Sequence, residues 1–289
     1  MVLYLKYKKY FKKLIVGVCS AVLAVTWPIL QLVGVDRVRK YIALLYKDRS
    51  RTSWRLTKPL VFVAIPKSAS KTITSTLANI LETRQQLIAV KIRGSKWPLN
   101  TKLSRGRLLL SIVVGAVGHE HLCANKRTLQ AISLLTDEIY VHIRDPRQVI
   151  VSMTEHFIEN RDRFDDFGVD GRQFDAHVAE NNYDYMIKQF FPIILQWLDE
   201  WRKCKELNQY GLRVTFVSYE EFLLRQIKYF GQILESVSTR IDCDNIHVSE
   251  SKHYRKGEMD EWKLRFNEIQ IKTMNDMIGQ DTKEYFGWN

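Results

Sequence analysis

Three short clusters hold the residues able to do chemistry. The first, Pro66-Lys67-Ser68-Ala69-Ser70-Lys71-Thr72, follows the apolar run Leu60–Ile65 and precedes apolar positions at Ile73, Leu77, Ile80 and Leu81. Six apolar, β-rich residues read as a buried strand, and the later spacing reads as a helix. A strand, a loop of small residues and a helix start make an anion site: backbone N–H groups and the positive end of the helix dipole converge, and Lys67 adds a full charge. Ser68, Ser70 and Thr72 supply hydroxyl donors. The glycines of GxxxxGK[ST] are absent, so this is no Walker A loop. The second cluster is Gly118-His119-Glu120-His121-Leu122, two imidazoles suited to proton transfer near neutral pH. The third is Arg144-Asp145-Pro146, with Ser152 eight residues after the arginine.

The flanking segments say how these clusters are positioned. Further strands are expected at Gln86–Lys91, Leu108–Val117, Glu138–Ile143 and Arg213–Ser218, with a loop over 93–107. Helices are expected over 125–135, from Arg147 through Phe157, and from Tyr219 to Glu235. Residues 159–171 read as a surface loop. An amphipathic stretch from Phe174 to Leu207, interrupted near Pro192, carries an aromatic stripe (Tyr183, Tyr185, Phe190, Phe191, Trp197, Trp201) that reads as core packing. Strands alternating with helices predict an α/β fold with a central parallel sheet. Ligands bind beyond the carboxyl ends of such strands, where all three clusters fall.

The chain has 289 residues and carries 44 Lys and Arg against 32 Asp and Glu, a net charge of +12. That balance suits an anionic ligand, an acidic polymer or an anionic membrane. Cys19, Cys123, Cys204 and Cys243 are scattered, so neither a zinc site nor a disulfide framework is indicated. Leu14–Val35 is charge-free and long enough for the ~20 residues of a spanning helix. It follows a basic, aromatic tail over residues 1–13, and Pro28 permits either a single pass or a re-entrant hairpin. Residues 36–58 read as a basic linker able to lie on anionic headgroups, and 59–289 as the folded domain. A membrane location is expected, with the side that the domain faces left open. Basic residues on both flanks, and the absence of any Asn-x-Ser/Thr site, give no decisive orientation.

Together the motifs resemble the sulfotransferase family that uses 3′-phosphoadenosine 5′-phosphosulfate (PAPS). Residues Pro66–Ile73 resemble that family's 5′-phosphosulfate loop, closest to the Pro-Lys-Thr-Ala-Gly-Thr-Ser form of carbohydrate enzymes. Arg144-Asp145-Pro146 with Ser152 matches the 3′-phosphate motif. Ser218-Tyr219-Glu220-Glu221-Phe222 is similar to a Tyr-Glu-Asp-Leu segment near the adenine. Arg255-Lys256-Gly257-Glu258-Met259-Asp260-Glu261-Trp262-Lys263 resembles the Arg-Lys-Gly-x-x-Gly-Asp-Trp-Lys motif of cytosolic members. Lys71 and Thr72 stand where common loops have Thr-Thr-Trp or Thr-Ser, so no tryptophan stacks on adenine from this loop. Asp260 and Glu261 replace Gly-Asp. Residues 1–58 lie outside the resemblance.

The resemblance implies a three-layer, P-loop-like fold and a donor site with set roles. Lys67, Ser68, Ala69, Ser70, Lys71 and Thr72 would hold the 5′-phosphosulfate. Arg144, Ser152 and Arg255 would clamp the 3′-phosphate, with Tyr219, Lys256 and Gly257 beside the nucleotide. Lys67 and a histidine would be catalytic and no metal is required. His119 resembles the Gly-His of carbohydrate enzymes, and His121-Leu122 the Thr-His-Leu of cytosolic ones. The reading expects the two rings to point oppositely and favours His119, while His142 reads as buried structure and His156 as a candidate wall of the acceptor cleft. A surface ion pair with Asp145 is the plain alternative for Arg144. The acceptor hydroxyl would belong to a small molecule, a glycan or another membrane-near compound. Partners are then the acceptor and, through the N-terminus, membrane lipids, with no nucleic acid. A nucleotide kinase of related topology and an inactive membrane-anchored binder of acidic ligands are the competing functions.

Overall fold

The computed structural model describes residues 56–92, 95–98, 101–179, 183–237 and 259–288, together with Lys40 and Leu44. The expected membrane segment 14–35, nearly all of the linker and Arg255, Lys256 and Gly257 therefore lie outside the described residues. In chain order the elements are β1 (Val61–Ala64), α1 (Ser70–Ile80), β2 (Gln85–Leu87), β3 (Ala89–Lys91), β4 (Thr101–Leu103), α2 (Arg105–Val113), β5 (Val117–Glu120), α3 (Lys126–Ser133), β6 (Glu138–Ile143), α4 (Pro146–Glu159), α5 (Phe164–Phe167), α6 (Gly171–Ala179), α7 (Asp184–Gln189), α8 (Phe191–Glu206), β7 (Arg213–Ser218), α9 (Tyr219–Leu224), α10 (Gln226–Val237), α11 (Trp262–Arg265), α12 (Glu268–Ile278) and α13 (Gln280–Phe286).

Five strands form a parallel sheet in the order β2-β5-β1-β6-β7, and β3 pairs antiparallel with β4 in a separate ribbon. Every residue of β1 and β6 is buried. Strands hidden on both faces must be covered on both, which makes the three layers of an α/β sandwich. β6 and β7 match their expected bounds because runs such as Ile139-Tyr140-Val141 can only be buried strand. The core also takes in Leu56, which is 1% exposed, while Thr57 N–H donates to Val237 O at 2.7 Å and Lys58 pairs with Glu138. These three residues belong to the folded body rather than to the linker.

Gln86–Lys91 divides between β2 of the main sheet and β3 of the ribbon, the expected loop over 93–107 contains β4 and the start of α2, and Tyr219–Glu235 breaks into α9 and α10. Two further expectations change. Leu108–Val117 is not one strand. Ser104 caps α2 by accepting from Arg107 N–H, Gly115 turns the chain at φ 64°, and only Val117–Glu120 joins the sheet. A short apolar run does not separate buried strand from buried helix, and here the cap decides. Gly118 then lets α2 lie close, since a Cβ there would sit 3.1 Å from Ile88 and 3.2 Å from Ser111 Oγ. The second change concerns 159–171, where a 3₁₀ turn at Arg161–Arg163 and α5 replace an open loop because Phe167 is drawn into the core. The aromatic stripe behaves as expected. Trp197 and Trp201 are wholly buried, and α7 ends just before Pro192 in α8.

Candidate active site

The loop between β1 and α1 turns through two left-handed residues, Lys67 (φ 60°) and Ala69 (φ 58°). Neither is glycine, so each conformation costs roughly 1–2 kcal/mol and must be held from outside. The holders lie on the next strand. Arg144 Nη1 donates to Lys67 O at 2.6 Å, and His142 Nε2 donates to Ser68 O at 2.7 Å. A trans peptide sets C=O and the following N–H on opposite sides. With the carbonyls of 67 and 68 turned toward β6, the N–H groups of Ser68 and Ala69 point away from it. Beside them starts α1, with no side-chain cap and no acidic residue in its first turn. Its leading N–H groups lack intrahelical partners by geometry, and the dipole adds positive potential. Ser68 Oγ is committed to Ile65 O at 2.7 Å, so it braces the turn.

Arg144 is buried at 6% exposure, and its guanidinium lies 4.0 Å over the Tyr219 ring. The simple ion pair with Asp145 is not what forms. Asp145 instead caps α4 through Arg147 N–H at 2.9 Å and binds the Arg147 guanidinium at 2.6 Å. Arg147, 1% exposed, lies 3.9 Å over the Trp262 ring and donates to Asn275 Oδ1 at 2.8 Å. Gln148 accepts from Trp262 N–H at 3.1 Å. Asp145 N–H also donates to Glu220 Oε1 at 3.0 Å, tying β6 to α9, and burial pushes the Glu220 carboxyl up. The Arg-Asp-Pro turn is thus fixed from the β7 side and from the C-terminal helices. Ser152 sits half-buried on α4, two turns along from Pro146.

His119 and His121 are brought together, not set apart. Their ring centroids are 5.8 Å apart in a T-shaped arrangement. A strand alternates with period two, so positions i and i+2 share a face; the expected opposition was a miscount of that period. Their environments differ. His119, 4% exposed, lies beside Phe62 with Nε2 buried and unbonded among the described residues, and burial pushes it down to about 3. His121 sits one residue past β5 and is half-buried. Its Nδ1 lies 2.6 Å from Ala64 O, and because a carbonyl only accepts, Nδ1 carries the hydrogen and Nε2 keeps the lone pair. Burial lowers its pKa as well, against the opposing pull of Glu120.

The chain around His121 is pinned. Its own carbonyl accepts from Thr101 Oγ1, and the next carbonyl, Leu122 O, accepts from Trp197 Nε1 at 2.7 Å and Trp201 Nε1 at 2.9 Å. Trp97 stands edge-on to the His121 ring at 5.4 Å and faces His156 at 6.0 Å and Phe167 at 5.3 Å. Trp97 thus lies between His121 and His156, touching both rings. His142 is wholly buried, as expected, yet it braces the loop, a task its sequence position does not announce. Trp97, His142, Arg147 and Glu220 were all missed. The one available signal was the cluster of polar residues at strand ends.

No family model matches the chain, and no curated protein matches it in sequence. Solved structures do. The crystal structure of mouse sulfotransferase SULT7A1 complexed with PAP matches with a TM-score of 0.49 at 16% identity, over 80% of this chain and 89% of that one. A crystal structure of retinol dehydratase in a complex with retinol and PAP matches with 0.48 at 15% identity, over 78% and 82%. What each of those proteins binds is a property of that protein.

Proposed function

We propose that the chain is a PAPS-dependent sulfotransferase that moves a sulfuryl group onto an acceptor hydroxyl. The observation that carries this reading is the paired hold on the loop. Arg144 and His142 draw two successive carbonyls toward β6, which turns the following amides to the other side of the loop, next to the start of α1. An anion seated there would meet backbone donors, the helix dipole and the Lys67 charge. A second anion, such as a nucleotide 3′-phosphate, would meet Arg144, whose planar fork suits it. Ser152 and, from outside the described residues, Arg255 would complete that clamp, with Tyr219, Lys256 and Gly257 alongside.

In the reaction the acceptor oxygen bonds to sulfur as the bond from sulfur to the 5′-phosphate oxygen breaks, and the acceptor proton passes to the base. The products are a sulfate ester, adenosine 3′,5′-bisphosphate (PAP) and a proton. Lys67 and the loop amides stabilise charge on the departing phosphate oxygen, and in-line placement supplies the rest. His121 is the better base: its hydrogen is committed to Ala64, its Nε2 lone pair is available, and it lies at the strand end beside Trp97. His119 lies deeper and supports it. A small-molecule or glycan acceptor would approach along Trp97. Residues 14–35 would hold the enzyme at a membrane, which alkaline carbonate extraction of the full chain and of a chain lacking residues 1–35 would test. Incubation with ³⁵S-labelled PAPS and a panel of hydroxyl acceptors tests the activity; no transfer, together with no affinity for PAP, would end this reading.

A further inference from the structure

We propose that Tyr229 and His142 form a hydrogen-bond relay that sets the shape of the Lys67–Ala69 loop, making both of them positioning residues for the donor's 5′-phosphosulfate. The inference rests on the donor reading above and adds to it two residues that touch no substrate. Ser68 O accepts from His142 Nε2 at 2.7 Å, so Nε2 must carry the hydrogen. A neutral imidazole then has its lone pair on Nδ1, which lies 2.9 Å from Tyr229 Oη, so the tyrosine donates. Both rings are wholly buried, and His142 is stacked on Phe62 at a centroid distance of 5.6 Å. Tyr229 is in turn wedged edge-on between Phe222 at 5.5 Å and Phe230 at 5.4 Å.

The relay acts through direction. Tyr229 belongs to α10, His142 to β6 and Ser68 to the loop, so three elements distant in the chain are joined by two hydrogen bonds. Burial pushes His142 down to about 4, against the raising effect of the Ser68 and Val217 carbonyls, which keeps the ring neutral at physiological pH. A neutral imidazole with one donor and one acceptor reads the polarity of both neighbours. If its hydrogen moved to Nδ1, Ser68 O would face a lone pair, the carbonyl would swing out and the Ala69 amide would leave the anion point. Packing alone would need only an apolar ring here; the hydroxyl and the imidazole matter because they fix which way one peptide faces.

Tyr229→Phe keeps the ring and removes the hydroxyl. PAP affinity by titration calorimetry is expected to fall about three- to tenfold, the worth of one lost hydrogen bond. The KM for PAPS should rise in parallel, and kcat at saturating donor should fall as well, because the loop amides also stabilise the departing phosphate oxygen. His142→Gln, which retains a side-chain N–H, should bind PAP more tightly than His142→Leu. In the unmodified protein, long-range ¹⁵N–¹H correlation should show the Nε2–H tautomer for the signal that His142→Gln removes. An Nδ1–H tautomer would overturn the relay. So would a Tyr229→Phe variant with a lower melting temperature and unchanged PAP affinity. If the unmodified protein itself binds no PAP, the donor reading fails, whereas variants that bind as it does sink only the relay.

Discussion

His121 Nδ1 and the Ala64 carbonyl, 2.6 Å apart across the seam between β5 and β1, fix which imidazole nitrogen carries the hydrogen and leave the lone pair on Nε2. A histidine held this way is preorganised for one proton transfer, and the bond that orients it comes from the strand that leads into the anion loop. The His121 ring and the loop are thus both tied to β1.

If His121 is the base, as proposed, His121→Ala is expected to lower kcat by about 10²–10⁴-fold with PAP affinity nearly intact, since its ring would then serve the acceptor and not the phosphates. His119→Ala should act mainly on stability, because it empties a fully enclosed site. Single-turnover rates beside urea unfolding separate the two. Comparable rate losses in both variants at unchanged stability would make the pair, rather than His121, the base.

The pH dependence follows from the same environment. A base works deprotonated, and burial lowers His121 from its ordinary 6.5. The acid limb of kcat/KM should therefore fall below 6.5 and the rate be flat through neutrality. A limb centred above 7 would contradict the assignment.

Folding stability should also lean on pH. His119 and His142 are pushed down to about 3 and about 4, so between pH 6.5 and about 5 the unfolded chain binds protons that the native one does not. Stability then rises with pH across that window and falls as acid is added. Glu220, raised by burial, acts in the opposite sense nearer its own range. Urea midpoints measured from pH 7 to pH 5 should decline steadily; a flat series would show that the two rings take up protons in the folded state.

PAP should raise the melting temperature more than ATP does, because only PAP offers a 3′-phosphate to Arg144 and binding to the native state stabilises by mass action. Arg144→Ala should erase the difference between the two nucleotides. Equal shifts in the unmodified protein would favour a kinase.

Arg147→Met should cost about 3–5 kcal/mol by leaving the Asp145 charge buried with its backbone cap but without the guanidinium. Arg147→Lys should recover little, as an ammonium can neither fork onto the carboxylate nor lie flat on Trp262. Denaturant unfolding measures both.

Much of this was legible in the chain. Leu60–Ile65 and Glu138–Ile143 read as strands because buried parallel strands tolerate little but apolar residues, Arg213–Ser218 because β-branched and aromatic residues favour a half-buried strand, and Asp145-Pro146 reads as a helix start because Asp caps and Pro fits the first turn. The loop with Lys67 and Arg144 was legible for the same reason: charge at strand ends has few other uses. What escaped reading depends on partners far away. The bonds from Trp197 and Trp201 to Leu122, from Tyr229 to His142 and from Arg147 to Asn275 each span 75 or more positions and leave no local pattern. Leu108–Val117 was misread because its cap, Ser104, lay inside a stretch taken for loop.

The packing of Arg147 onto Trp262 and Asn275 has a bearing on how the protein is made. Synthesis runs from the N-terminus, so the whole sheet emerges from the ribosome before these two partners do. The Arg-Asp-Pro turn therefore waits for α11 and α12, and its final shape is expected to appear only once the chain has been made through Asn275.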